Sequence, residues 1–126
     1  MSTQRQVVRD GELRELAQYF HALRDVLRLR ILLLLANEGE MTVTELTRAL
    51  RVSQPLVSFH LRPLRLLGLV AVRRSGRQVY CSVCIDEVRR RQEEFLSRLD
   101  GNTDMVGPMA VEQQMEDESE LPGSVT

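Results

Sequence analysis

The chain contains no lysine and no tryptophan. It has only two cysteines, and two Tyr and three Phe are its entire aromatic content. Two cysteines cannot build a disulfide framework, and such a pair in a cytosolic protein is normally reduced. The longest apolar run, Ile31 to Ala36, is far short of the roughly 18 residues of a membrane span. The first ten residues, MSTQRQVVRD, are polar and lack the apolar segment of a signal peptide. A cytoplasmic protein with no membrane partner is the expectation. No nucleophile–base pair, phosphate-binding glycine loop or paired carboxylate stands at a useful position, which sets enzymes aside. With lysine missing, all 17 basic residues are arginine. GC-rich coding explains that blandly, yet every positive charge is then a planar fork suited to phosphate.

A length of 126 residues with 43% apolar content suits one domain. Its charge is unevenly placed. Residues 1–100 carry 17 Arg against 12 acids, a net of +5. Residues 101–126 carry no Arg and six acids (Asp104, Glu112, Glu116, Asp117, Glu118 and Glu120), a net of −6, which leaves the overall −1. The boundaries expected are a folded basic domain over 10–100 and an acidic tail over 101–126. The tail is rich in Gly, Pro and Ser and without aromatics, the composition of a disordered segment. Pro108 can start a short helix there, and Met105, Met109 and Met115 are a chance grouping rather than a copper site.

Leu13, Leu16, Ala17, Phe20 and Leu23 recur at spacings of three and four and define one face of a first helix. Asp25 suits the N-cap of a second helix, Val26 to Ala36, whose apolar Ile31–Ala36 end is expected to be buried on all sides. Asn37 to Glu40 is a loop. Thr42-Val43-Thr44-Glu45 is a capping-box pattern that opens a helix to Leu50, with Val43, Leu46 and Leu50 inward. Arg51-Val52 is a short turn. Ser53 caps the next helix, Pro55 sits in its first turn where a missing N–H costs little, and Gly68 suits its end at Leu67. Leu69–Arg74 and Arg77–Val83 are β-rich strands with Ser75-Gly76 at their turn. Asp86–Leu99 is a final helix with Val88, Phe95, Leu96 and Leu99 on its apolar side and a solvated Arg89-Arg90-Arg91 run. The order α-α-α-α-β-β-α is a mainly α, α+β fold.

The helix from Ser53 to Leu67 has two separable faces. Val57, Leu61 and Leu64, flanked by Leu56, His60 and Leu67, form the core arc. Gln54, Ser58, Arg62 and Arg65 fall on a polar stripe about 80° wide. Such a stripe, beginning at the helix N-terminus, is what a recognition helix presents to base edges. Gln can bond adenine through two hydrogen bonds and Ser can bond any base, while Arg62 and Arg65 suit phosphates. An ordinary solvated helix face would look similar. The short turn before it and the arginines Arg73, Arg74 and Arg77 around Gly76 favour a partner of double-stranded DNA. His60 is expected to be a packing residue, and His21 structural or exposed.

The runs FHALRDVLRLRILLLL, MTVTELTRAL, VSQPLVSFHLRPLRLLGLV and RRSGRQVYCSV resemble the ArsR/SmtB family over roughly residues 12–99. That resemblance implies a homodimeric winged helix-turn-helix repressor, paired through its first and last helices, that binds an inverted-repeat operator and is released by a metal or another inducer. It implies DNA contacts at Val43, Ser53, Gln54, Ser58 and Phe59. Three positions depart from the family pattern. Phe59 replaces a common polar or basic residue and suits packing better than a thymine methyl. Pro63 interrupts the recognition helix and should kink it. Val26-Leu27 replaces a usual Pro-Thr pair.

The family's familiar metal sites are missing from this sequence. Met41 to Glu45 contains no Cys, and the last helix contains no His. Cys81 and Cys84 remain, at C-x-x-C spacing across a strand end. Two readings stay open for them: two small buried hydrophobes, or a thiol sensor for a trivalent arsenical or thiophilic metal ion acting as inducer. No other cofactor is expected. The alternative function is a winged-helix module for protein–protein interaction with no inducer site.

Overall fold

The computed structural model describes residues 9–101. The expected acidic tail, its Pro108 helix and its methionines lie outside the described residues. Helix α1 (Asp10–Leu23) carries Asp10 and Glu12 in its first turn, where acids complement the helix dipole. Helix α2 (Val26–Glu38) is capped by Asp25, whose side chain accepts from the Arg28 amide at 3.0 Å. It ends on Gly39 at φ 86°, a conformation that a side chain resists. A two-residue strand β1 (Met41–Thr42) then leads directly into α3 (Val43–Leu50). The capping box forms as expected. Thr42 Oγ1 accepts from the Glu45 amide at 3.0 Å, and Glu45 Oε1 accepts from the Thr42 amide at 2.9 Å. Arg51 closes α3 in the left-handed region at φ 59°.

Helix α4 (Gln54–Leu66) starts at Ser53, whose hydroxyl accepts from the Leu56 amide at 3.3 Å. It runs through Pro63 as one helix. Its end is a Schellman arrangement: the Leu69 amide reaches the Leu64 carbonyl at 2.8 Å and the Gly68 amide reaches Arg65 at 2.9 Å. Gly68 takes φ 77° to allow this. The hairpin β2 (Val70–Ser75) and β3 (Gln78–Val83) follows, and α5 (Ile85–Leu99) completes the chain. The strands pair antiparallel in the order β1-β3-β2. The last ladder pair is Ser75 with Gln78, so the turn is Gly76-Arg77, one residue later than expected. Only the first of these two turn residues has positive φ, the pattern of a type II′ hairpin turn.

The core lies where α2, α3 and α4 pack on the sheet, with α1 covering α2. Tyr19, Ile31, Leu35, Leu46, Val57, Leu64, Leu69 and Cys81 are its largest fully buried side chains. Three expectations need correction. The buried residues of α1 are Tyr19 and Ala22, while Ala17 is exposed and Leu16, Phe20 and Leu23 pack at the core margin. The apolar end of α2 is not enclosed, since Leu33 is 62% exposed: core on one side of a helix leaves its opposite side open, whatever residues stand there. On α4, Leu56 lies at the surface rather than beside the core. Strand β1 was not expected, because two residues carry no readable period. Among the described residues, no helix is long and apolar enough to cross a membrane.

Candidate nucleic-acid interface

Helix α4 and the β2–β3 hairpin enclose an open cleft of about 770 Å³. The turn of α4 brings Gln54, Ser58, Arg62 and Arg65 to one wall, with Leu61 and Leu66 between them. Strand alternation supplies the other wall. Val72 and Arg74 on β2 and Val79 on β3 project to the same side of the sheet. Val43, at the start of α3, forms part of the floor. The whole polar stripe expected from the sequence therefore faces one concavity, together with one wing arginine. Among the described residues, none of Arg62, Arg65 and Arg74 is held in an ion pair. Three unneutralised guanidinium groups around one cleft favour a polyanion.

The remaining expected site residues lie elsewhere. Ser53 is exposed and spends its hydroxyl on the helix cap. Phe59 is 64% exposed and stands outside the cleft lining, with its ring edge-on to His60 at 5.2 Å. Apart from that edge contact it is not packed in the interior. Arg77 is exposed at the hairpin turn. Arg73 projects to the opposite face of the sheet. Its Nε and Nη2 each donate to Glu40 at 2.9 Å, and its guanidinium lies 4.3 Å over the Tyr80 ring. The hydrogen bonds from Arg73 hold the Glu40 carboxyl below its usual range. Leu66, Val72 and Val79 are cleft residues that the sequence reading left unassigned, while Leu61 is buried in the core as expected and also borders the cleft. The alternation of Val72 with Arg74 was the available signal. His60 is satisfied as expected, with its Nδ1 accepting from Arg28 Nε at 3.2 Å.

The cysteines occupy different environments. Cys81 is fully buried at the centre of the sheet, and burial pushes its thiol up to about 11. A thiol in that state is neither a ready nucleophile nor a ready ligand. Cys84 is half-buried at the start of α5, its amide bonded to the Leu69 carbonyl at 2.8 Å. Among the described residues, no group of three or more His, Cys, Asp or Glu is placed to hold a metal ion. Among the described residues, no third ligand of that kind stands with Cys81 and Cys84, and Cys81 is a core residue.

A helix pair joined by a tight turn, followed by a hairpin that shares a cleft with the second helix, is the winged helix-turn-helix arrangement. A family profile described as bacterial regulatory protein, arsR family, matches residues 25–72. A transcriptional repressor SmtB homolog of Synechocystis is 38% identical over 96 residues, which cover 76% of this chain and 72% of that protein. The chain belongs to the ArsR family of bacterial regulatory proteins. The arsenic resistance transcriptional regulator ArsR1 of Pseudomonas putida is 47% identical over 73 residues, 56% of this chain and 57% of that regulator. This ArsR-family chain thus spans just over half of that relative's length. Among solved structures, the homodimeric winged helix-turn-helix DNA-binding domain Mb0332 from Mycobacterium bovis superposes with a TM-score of 0.59. It shares 30% identity and covers 70% of this chain and 82% of that one.

Proposed function

We propose that this ArsR-family protein is a cytoplasmic, homodimeric repressor that binds an inverted-repeat DNA operator. The observation that carries the reading is the cleft on which Gln54, Ser58, Arg62, Arg65 and Arg74 converge. In this reading α4 enters the major groove. Gln54 and Ser58, in its first turns, meet base edges, and Arg62 and Arg65, further along, meet phosphates. Arg74 and Arg77 on the wing hold the flanking backbone or minor groove. Pairing through α1 and α5 is supported by exposed Leu96 and Leu99 and by the Phe20–Phe95 edge contact at 4.8 Å that joins the two helices. A dimer then offers two α4 helices to half-sites about one helical turn apart. The names of relatives support a metal or metalloid as the releasing agent. Cys81 and Cys84 of one chain do not supply its site.

The reading divides labour between residues, and the division can be measured. Gln54→Ala should relax sequence preference by about 1–3 kcal/mol while leaving binding to scrambled duplex unchanged. Arg74→Ala should weaken binding to operator and scrambled duplex alike. If a dimer neutralises about six phosphates, affinity falls roughly a thousandfold between about 50 and 200 mM salt. Affinity that ignores salt would refute the DNA reading. It would favour the second one, a protein-interaction module docking on Phe59 and Leu66, which are 64% and 78% exposed on α4.

A further inference from the structure

Arg73 and Arg74 are neighbours in the sequence and part of one basic cluster, yet they do opposite things. Arg74 lines the cleft and carries no ion pair among the described residues. Arg73 lies across the back of the sheet. In the strand order β1-β3-β2, it starts on one outer strand and stands opposite Tyr80 on the middle strand. It stacks 4.3 Å over that ring and ends in two 2.9 Å hydrogen bonds to Glu40, the residue before β1 on the other outer strand. One guanidinium edge, Nε with Nη2, and one face are thereby engaged. The far end of this bridge matters for the site. Glu40 is followed by Met41 and then by Thr42, the N-cap of α3. Strand β1 itself has only the two ladder pairs Met41–Cys81 and Thr42–Tyr80, so few backbone bonds join the start of the helix-turn-helix to the wing.

We propose that Arg73 is a positioning residue that latches the wing to the start of the helix-turn-helix through Tyr80 and Glu40, holding Arg74 over the cleft without itself contacting phosphate. The role at the cleft rests on the DNA-binding reading; the latch itself does not. Glu40 is then part of the interface machinery, although it faces away from the cleft and carries the same charge as the ligand. Tyr80 is the platform that guides the side chain across.

The test uses the full chain and a fluorescent random-sequence DNA duplex, because phosphate contacts are independent of sequence. Anisotropy is followed across a salt series for the wild type, Glu40→Gln, Arg73→Ala, Arg73→Lys, Arg74→Ala and the Glu40→Gln/Arg73→Ala double variant. A latch predicts that Glu40→Gln and Arg73→Ala each weaken binding about threefold, the modest effect of an exposed ion pair. The double variant should be no weaker than either single one. Arg73→Lys, which keeps the charge and loses the fork and the stacking plane, should behave like Arg73→Ala. The salt slope should stay at the wild-type value in Arg73→Ala and fall by about one in Arg74→Ala. Tighter or unchanged binding in Glu40→Gln would overturn the latch. So would an Arg73→Ala slope that falls by about one while Arg73→Lys binds normally. Amide hydrogen exchange separates the two levels. Glu40→Gln and Arg73→Ala should both speed exchange across Met41–Thr42 and their partners Tyr80 and Cys81, with no DNA present. A wild type without any salt slope refutes the DNA reading, and unchanged exchange in both variants refutes the latch.

Discussion

Tyr19 has no exposed surface, and its hydroxyl donates to Gln92 Oε1 at 2.6 Å. Its ring meets Phe20 edge-on at 5.0 Å and lies 5.8 Å from the Arg91 guanidinium. One side chain on α1 thus touches its own helix and two successive residues of α5. Removing the hydroxyl alone isolates the polar part of that contact. Tyr19→Phe should cost about 1 kcal/mol, read as a lower urea midpoint at unchanged slope. An unchanged midpoint would mean that Gln92 re-pairs with water at no loss. The sequence did not reveal Tyr19, because a residue with a polar tip counts for either a core or a surface position until its partner is known. That partner is 73 residues away. Gln54 and Ser58 were legible for the opposite reason: their placement depends only on helix period, which nearby residues fix. Arg73 and Arg74 show the limit. Alternation separates them onto opposite faces, but that Arg73 meets Glu40 requires knowing that β1 exists.

The helices with the best-read ends are those with local caps. Asp25, the Thr42–Glu45 box and Ser53 each bond backbone amides within three residues, so their chemistry is complete within a short window of sequence. Helix α5 is the contrary case. None of its residues is fully buried, and polar links over long sequence separations fasten it. The expected solvated run splits accordingly: Arg89 and Arg90 are exposed, whereas Arg91 is half-buried and donates to the Leu67 carbonyl, at the end of α4, at 2.8 Å. Glu87 organises this joint. It accepts from Arg90 at 2.7 Å and from Arg91 at 2.8 Å, and the hydrogen bonds from Arg90 and then Arg91 bring its carboxyl from 4.5 down to about 2. A carboxylate whose folded value is depressed stabilises the fold above its unfolded value and loses that contribution as pH falls toward the folded one. Glu87 should therefore add full stability above about pH 4.5, fading to nothing near pH 2. Glu87→Gln lacks the titration, so its deficit against the wild type should shrink across that window in urea melts. A deficit that stays constant from neutral pH to pH 2 would show that Glu87 acts through shape rather than charge.

At the scale of the whole chain, the opposed charges of its two parts are the feature with most consequence for binding. The basic part, residues 1–100, carries a net of +5, and residues 101–126 carry six acids and no arginine. Arg62, Arg65 and Arg74 supply unpaired charge at the cleft. A covalently attached set of carboxylates is a local polyanion, so we expect it to compete for the same guanidinium groups that DNA would neutralise. The competition is electrostatic and must weaken with salt, because the screening length shrinks to about 8 Å at physiological ionic strength. Deleting residues 101–126 should tighten binding to random-sequence duplex at low salt, and the gain should fade as salt rises. Replacing the six acids by their amides should give the same gain while keeping the chain length. If the amide variant matches the wild type while the deletion still tightens binding, the tail acts by bulk, not charge. If neither changes affinity at low salt, the acids do not reach the cleft, and the arginines are open to DNA in the full chain.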